Sequence, residues 1–503
     1  MIALIRKLWR RRALYGFVVG FALLLLGFFI DRELTRQAGE KRHAAIVAQL
    51  DSTDPRWRYE EVEADRGVLA DEQNSALLVP KFKQSLASPQ FDSNPLLGSD
   101  YRISDHVNHV LSDEFYDALE MALSANKSAL QIAVSFERFQ TGMWRTPISA
   151  DYISTDFTKL QDLRPVFRLL DLAAEGEGRN GRSARAFAYV LPMFNVGRSL
   201  EREPNLIACL IRLAGDRIAV IRVERTLALC NPTCELATVQ AALLQEANAD
   251  LFWYAMRGER AGLDHLWTNL RSGRVKLNDL AKSGGKRDWF MSSIGNWYVD
   301  PYLANDHALM LEVCTKAYEA RLLPEELQRA ELEAFKQSIR ALPELDTGSL
   351  LTRLLIPAFN KIHDASLAAK ANLRCAATGI AVERFRLKHG RWPNSLEEIP
   401  RNLLASVPLD PFDGQPLKYA RRDDGVTVYS IGIDETDNDA TIGVGRNANG
   451  IGKDLGFRLF NPDRRGLPAL AITQKTDRFT QPPGQITDTD IMAELGPPPR
   501  ERD

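Results

Sequence analysis

The chain has 503 residues, enough for two or three domains with cores of their own. Apolar residues make up 45% and charged residues 26%, ordinary values that set aside a fibrous or wholly disordered chain. A net charge of −2 gives no electrostatic reason to expect nucleic acid or another polyanion as a partner.

Residues 1–12 are a basic tail in which Arg6, Lys7, Arg10, Arg11 and Arg12 stand with no acid. Residues 13–30 are uncharged and mostly apolar. At 1.5 Å per residue they make about 27 Å of helix, enough to cross a bilayer core. Beyond them Asp31, Arg32, Glu33, Arg36, Glu40, Lys41 and Arg42 nearly cancel. The excess of cations before the apolar run places the N-terminus in the cytoplasm and the bulk of the chain outside it. Small residues at a cleavable spacing are missing after Ile30, so the run reads as an uncleaved anchor. The expected setting is the cytoplasmic (inner) membrane, single pass, with a periplasmic or otherwise extracytoplasmic body.

Residues 31–150 read as membrane-proximal helices and linkers. A polar helix over 33–50 is broken by Asp54-Pro55, and 83–105 is a linker rich in Ser, Pro, Asp, Asn and Gly. Phe115, Leu119, Leu123, Leu130 and Val134 give 112–139 helical spacing, and 142–151 is a second linker.

Residues 151–345 read as a helical array. Leu160, Leu163, Phe167 and Leu170 form a stripe, with a break over 175–181. A helix over 185–200 is kinked at Pro192, and Pro204 opens another that runs to Leu229. Asn231-Pro232 opens a helix to Ala247. Residues 252–256 and 261–270 are helical, separated by a charged turn over 256–262 in which Glu259 reads as a helix-start salt bridge, with a catalytic acid or base as the alternative. Residues 284–305, with Trp289, Trp297, Tyr298 and Tyr302, read as an aromatic loop. Leu323-Pro324-Glu325-Glu326 starts a helix to Leu342. With no fixed repeat length, the expectation is a mainly α protein built as an irregular helical bundle or α-solenoid.

Residues 349–461 form the last module. A helical run from Leu350, kinked at Pro357, ends at His389. Leu373, Ala376, Ala377, Ile380, Ala381 and Leu387 share one face of it. Lys388 and His389 suit the helix C-terminus, Gly390 suits a left-handed stop, and Pro393 forbids continuation. Asn394 with Glu397, or Ser395 with Glu398, caps one more short helix. Residues 417–420 and 426–431 are β-prone and joined by an Asp424-Gly425 turn, which predicts an antiparallel hairpin. After it Asp434, Asp437, Asn438 and Asp439 crowd oxygens into a short loop, the hard donors calcium takes. Residues 462–503, rich in Pro, Asp, Thr and Gln, read as a disordered tail.

The order "ERFRLKHGRWPNSLEEIP", "VPLDPFDGQPLKY", "VYSIGID", "DNDATI" resembles the globular C-terminal half of the major pseudopilin of type II secretion systems. The likeness covers about 70 of the 503 residues. It implies that the Asp-Pro-x-x-Gly-x-Pro segment leads into the sheet. It also implies that the acidic loop binds calcium through Asp434, Asp437 and Asp439. A pilin's hydrophobic helix runs straight into such a module, whereas here about 370 residues intervene. The layout of the whole chain resembles large single-pass bacterial envelope proteins that end in this module.

No catalytic constellation stands out. Gly-x-Ser-x-Gly and His-Glu-x-x-His are absent, and the glycines of 445–453 fail the phosphate-loop spacing. His106 and His109 could share a helical face, but no further ligand is placed beside them. Cys230 and Cys234 have no second close pair to complete a zinc site; a disulfide between them is open, and Cys209, Cys314 and Cys375 read as core. The expected function is a membrane-anchored extracytoplasmic binding or scaffolding protein of the envelope, linked to secretion, with the bilayer held through 13–30 and protein partners outside. The alternative is an envelope hydrolase or other enzyme with a site in the helical domain around His265, Trp289 and Trp297.

Overall fold

From Ile2 to Thr53 the chain holds no proline, and it forms one unbroken helix, α1 (Ile2–Thr53). The structure is a computed structural model that describes residues 2–87, 97, 106–276, 289–342, 347–349, 352–353, 359–443 and 452–470, without the side chains of 2–14, 289–298 and 347. The apolar run and the polar helix expected after it are thus a single rod, ended at Asp54 as the Asp-Pro pair required.

Short helices α2 (Tyr59–Asp65), α3 (Leu78–Ser85), α4 (Asp113–Ala125) and α5 (Lys127–Ser135) follow. Asn126 splits the expected 112–139 helix in two. The array proper is α6 (Arg164–Arg179), α7 (Ser183–Arg198), α8 (Leu206–Leu229), α9 (Ala237–Ala247), α10 (Leu251–Arg271), α11 (Trp289–Glu319) and α12 (Glu325–Arg340). The last helix is α13 (Phe359–His389), and the sheet is β1 (Lys418–Arg422), β2 (Gly425–Ser430) and β3 (Leu455–Phe460). The protein is mainly helical with one small antiparallel sheet of order β1-β2-β3.

Several expected breaks are not breaks. Gly176 and Gly178 sit inside α6 because Leu119 and Leu229 press on them; an added Cβ would stand 3.1 Å and 3.2 Å from those side chains. The expected turn over 256–262 is the middle of α10. There a Cβ on Gly258 would fall 1.7 Å from the Pro204 carbonyl oxygen, and one on Gly262 2.2 Å from the Tyr152 ring. These glycines admit a neighbour to the helix rather than end it. Of the 284–305 stretch expected as a loop, 289–305 is the first part of α11, and 284–288 lie outside the described residues. Asn205 rather than Pro204 opens α8, its side chain accepting the Ala208 N–H at 2.8 Å. Helix α9 starts at Ala237, five residues later than the Asn-Pro signal. Helix α12 starts at Glu325 as expected, and Gly390 stops α13 with φ 73°.

Helix α8 is the hub. It packs against α6, α7, α10, α13 and β3. Its buried positions include Arg212, Asp216, Arg222, Glu224 and Arg225 as well as apolar residues. The main hydrophobic cluster joins Phe167, Leu170, Phe194, Val223 and Leu243 of the array to Ile380 and Phe385 of α13 and Val428 and Phe457 of the sheet. The last module therefore shares its core with the array. The hairpin pairs Tyr419 with Val428, and Asp423 and Asp424 form its turn, one residue earlier than expected. The third strand, β3, was not expected; it pairs Val428 with Phe457. Its outer edge is covered by the body, where the Arg458 N–H donates to Glu224 Oε1 at 2.8 Å. Beyond β3, Arg465 pairs with buried Glu383 at 2.9 and 3.0 Å, and Leu467 N–H donates to the Asn108 carbonyl at 2.8 Å. This ties residues 465–467 to the body; residues 471–503 of the expected tail lie outside the described residues, as do 354–358 with the expected kink.

Candidate functional site

The DPxxGxP segment is held by its first residue. Asp410, 2% exposed, accepts N–H bonds from Phe412 at 3.0 Å and Ile431 at 2.9 Å and a hydroxyl bond from Ser430 at 2.9 Å. Burial pushes its carboxyl up, against those three donors. One carboxylate thereby pins the loop before β1 to the residue that follows β2.

The acidic loop leaves the sheet just past that pin. Asp434 accepts the Thr436 N–H at 3.2 Å through Oδ1, and the Gly452 N–H at 2.6 Å and Asn438 Nδ2 at 3.3 Å through Oδ2. Burial opposes its charged form, but those donors hold its carboxyl below the usual range. Asp437 pairs with Lys418 at 3.2 Å and accepts the Tyr429 hydroxyl at 3.3 Å and the Asp439 N–H at 3.1 Å. Glu435, Asp439 and Ala440 take φ of 53°, 54° and 57°, so the loop is tightly curled. Asp454, at the start of β3, faces the same loop. It is fully buried, its Oδ1 accepts the Asn438 N–H at 3.1 Å, and its Oδ2 has no hydrogen-bond partner among the described residues. Burial, with Asp437 adding to it, pushes this carboxyl up. The donor set is all oxygen, which suits calcium and not zinc. Among the described residues no group of three or more His, Cys, Asp or Glu is arranged to hold a metal ion. Sequence reasoning named Asp434, Asp437 and Asp439 but missed Asp454 and Asp410, whose roles come from strand pairing.

The second candidate is α1 itself. Among the described residues no helix is long and apolar enough to cross a membrane. The expected span begins at Ala13 and Leu14, whose side chains lie outside the described set. From Tyr15 to Ile30 twelve large apolar side chains are exposed, Leu24 by 74%. C-terminal to them the same helix docks on the body: Arg42 pairs with Glu312 at 2.5 Å, Glu40 with Arg271 at 2.5 Å, and the His43 and His307 rings lie 4.3 Å apart. His307 Nε2 contacts Asp264 at 2.8 Å. Burial lowers both histidines, His43 to about 4, so they sit neutral in the joint.

The remaining sequence candidates are structural. Glu259 is buried inside α10; its carboxylate accepts the Leu206 N–H at 2.9 Å, and burial raises it to about 7. It makes no helix-start salt bridge, because its place is opposite the N-terminus of α8. His106 and His109 approach to 5.5 Å between ring centres, with His109 Nδ1 spent on the Pro468 carbonyl at 2.7 Å. All five cysteines are free, and the Cys230 thiol donates to the Thr226 carbonyl at 3.1 Å. His265 packs on Tyr59 at 4.9 Å, while the Trp289 and Trp297 side chains lie outside the described residues. Two shallow clefts of about 250 and 280 Å³ flank residues 145–147, and no Ser, Cys or His lines either. The array's buried charges are paired instead. Glu175 of α6 meets Arg222 and Arg225 of α8 and the Tyr116 hydroxyl, and burial's upward push on its carboxyl is more than reversed by the two guanidinium groups. Arg222 and Arg225, three apart and so on one side of α8, are the sequence signal that could have pointed to this cluster.

No protein-family model, no curated protein and no solved structure matches this chain.

Proposed function

We propose that the protein is an envelope scaffold or binding protein held in the cytoplasmic membrane by α1, with its helical body and C-terminal module on the extracytoplasmic side. The observation that carries this reading is the division of one helix into two environments. Twelve large apolar side chains of α1 stand in solvent from Tyr15 to Ile30, and the polar stretch after them is docked on the body. Moving each such side chain from water into hydrocarbon gains about 1.5–3 kcal/mol, tens of kcal/mol in all. The five cations before the run orient it with the N-terminus inside. Arginines buried against acids, which serve packing between helices, favour a binding or scaffolding role. The test is alkaline carbonate extraction of cells expressing full-length protein, with protease added to spheroplasts. The protein is expected in the membrane pellet with its C-terminus cleaved from outside. Intact full-length protein free in the lysate overturns the reading.

We further propose that the acidic loop takes calcium, as the pseudopilin-like pattern implies, with Asp434, Asp437 and Asp439 as ligands. Its support here is the buried Asp454 carboxylate beside the loop, one oxygen of which has no hydrogen-bond partner among the described residues. A cation would supply charge neutralisation for the loop, while this chain's N–H groups hold the carboxylates in place. Full-length protein in detergent is expected to unfold at higher temperature with excess calcium than with chelator. Equal midpoints remove the metal from the account.

A further inference from the structure

Helix α1 meets the body on α10 and α11, and one side chain of α10 ties the three helices together. Arg271 donates through Nη2 to Glu40 of α1 at 2.5 Å and through Nη1 to His307 Nδ1 of α11 at 3.2 Å. A guanidinium only donates, so Nδ1 accepts. The one hydrogen of the neutral ring then lies on Nε2, which gives it to Asp264 of α10 at 2.8 Å. His43 of α1 packs on this ring with centroids 4.3 Å apart. Its Nε2 is buried and has no hydrogen-bond partner among the described residues.

Neutral rings fit this joint and charged rings do not. A second hydrogen on His307 would stand on Nδ1 and point at Arg271, donor against donor. A charged His43 would carry an N–H at Nε2 with no acceptor beside it. The charged groups that face the pair are Asp264 and Arg271 from α10, Asp306 from α11, and Glu40 from α1 itself. Each of the three acids already has a donor. Asp264 holds His307, Glu40 holds Arg271, and Asp306 accepts the Thr352 N–H at 3.1 Å and hydroxyl at 2.5 Å. Arg42, next to His43 in the chain, is paired with Glu312 at 2.5 Å. Burial, with His307 and Arg271 adding to it, lowers His43 to about 4, and burial lowers His307.

We propose that this joint is an acid-sensitive latch: protonation of His43 and His307 loosens the body from α1. A free histidine titrates near pH 6.5 and takes a proton more readily than the docked one. Docking therefore weakens as pH falls below about 6.5 and levels off below about 4. His43 is half-buried, and solvent screening discounts the effect; a rise of roughly tenfold in the ratio of loosened to docked protein remains between about pH 7.5 and pH 5. Ile46 and Leu50, farther along α1, pack in one hydrophobic cluster with Trp57 and Phe252, so that end of the docked stretch stays held. The consequence rests on the anchor reading above: a body held at one end of the docked stretch tilts on its anchor and changes the face it shows to partners.

The test uses full-length protein in detergent, so it reads the joint whether or not α1 enters a bilayer. Nitroxide labels are placed by L34C on α1 and S272C on α10, both exposed sites, in a C234S background. Pulsed electron paramagnetic resonance then gives their separation at about pH 7.5 and about pH 5. The native joint is expected to show one short distance at the higher pH. At the lower pH a second, longer distance is expected, with a ratio to the first roughly tenfold greater. H43Q/H307Q is expected to give the same distances at both. Equal distances in the native joint at both pH values overturn the latch and leave the anchor standing. Opening at low pH in H43Q/H307Q overturns it too, because the carboxylates then drive the change. Circular dichroism checks the fold of each protein. If the double variant does not fold, H43F, which keeps a ring on His307 and takes no proton, is read in its place. It is expected to open less than the native joint at low pH, and equal opening overturns the latch. A joint that opens as expected in a protein that carbonate extracts from membranes overturns the anchor alone.

Discussion

Replacing Glu175 with alanine should be among the most damaging single changes in the array. Its carboxylate is fully buried; it meets Arg225 at 2.8 and 3.1 Å, the Tyr116 hydroxyl at 2.8 Å, and Arg222. Arg222 and Arg225 are each 1% exposed. Arg225 has other acceptors in the Val107 and His109 carbonyls, both at 2.6 Å, and Arg222 has Asp171. Deleting the shared acid still leaves two buried guanidinium groups with one carboxylate between them. Breaking a buried pair in this way costs about 3–5 kcal/mol. At roughly 2–4 °C per kcal/mol for domains of this class, the midpoint falls by on the order of 10 °C. The assay is thermal unfolding of full-length protein in detergent, followed by circular dichroism. E175Q, which keeps the shape and loses the charge, should fall between wild type and E175A. The triple variant E175L/R222M/R225M, which removes the charges together, should recover part of the loss. An E175A midpoint within a degree or two of wild type would refute the claim that this cluster joins α6 to α8.

Glu259 supplies a pH prediction. Burial raises its carboxyl to about 7 in the folded protein. A raised acid favours folding while protonated, so its contribution is full below about pH 4.3 and is lost as pH rises through about 7, a change on the order of 3 kcal/mol. E259Q should therefore flatten the stability profile across that window and unfold later than wild type at pH 8; an unchanged slope counts against it. Glu203, also raised to about 7 by burial, leaves a residual slope in that variant. Gly258→Ala places a methyl 1.7 Å from the Pro204 carbonyl oxygen. Helix propensity alone would make this change stabilising by about 1 kcal/mol. The structure predicts a loss of about 1–3 kcal/mol or more, read as a lower unfolding midpoint.

Features written in neighbouring residues were legible. The apolar run that begins α1, the Asp54-Pro55 stop, the start of α12 at Pro324-Glu325, the Gly390 stop and the β1–β2 hairpin each follow from residues within a turn or two of one another. What failed to read correctly depends on residues far apart. Gly258 and Gly262 look like a turn until Pro204 and Tyr152 are seen to need the space. The aromatic stretch that opens α11 looks like a loop, yet the helix holding it continues to Glu319 and meets α1 from Asp300 onward. Strand β3 stands far along the chain from the hairpin, and it forms because β2 and Glu224 complete its hydrogen bonds.

The stops at Asp54 and Gly390 and the uncharged run of 13–30 could be read from residue order alone, because they depend on local backbone geometry and solvation. Which acids and arginines neutralise one another was set by the packing of distant elements. Glu175 and Arg225 are 50 residues apart, and Glu383 and Arg465 are 82 apart. A buried charge is tolerable only beside its partner, and that partner is chosen by helix packing rather than by position along the chain.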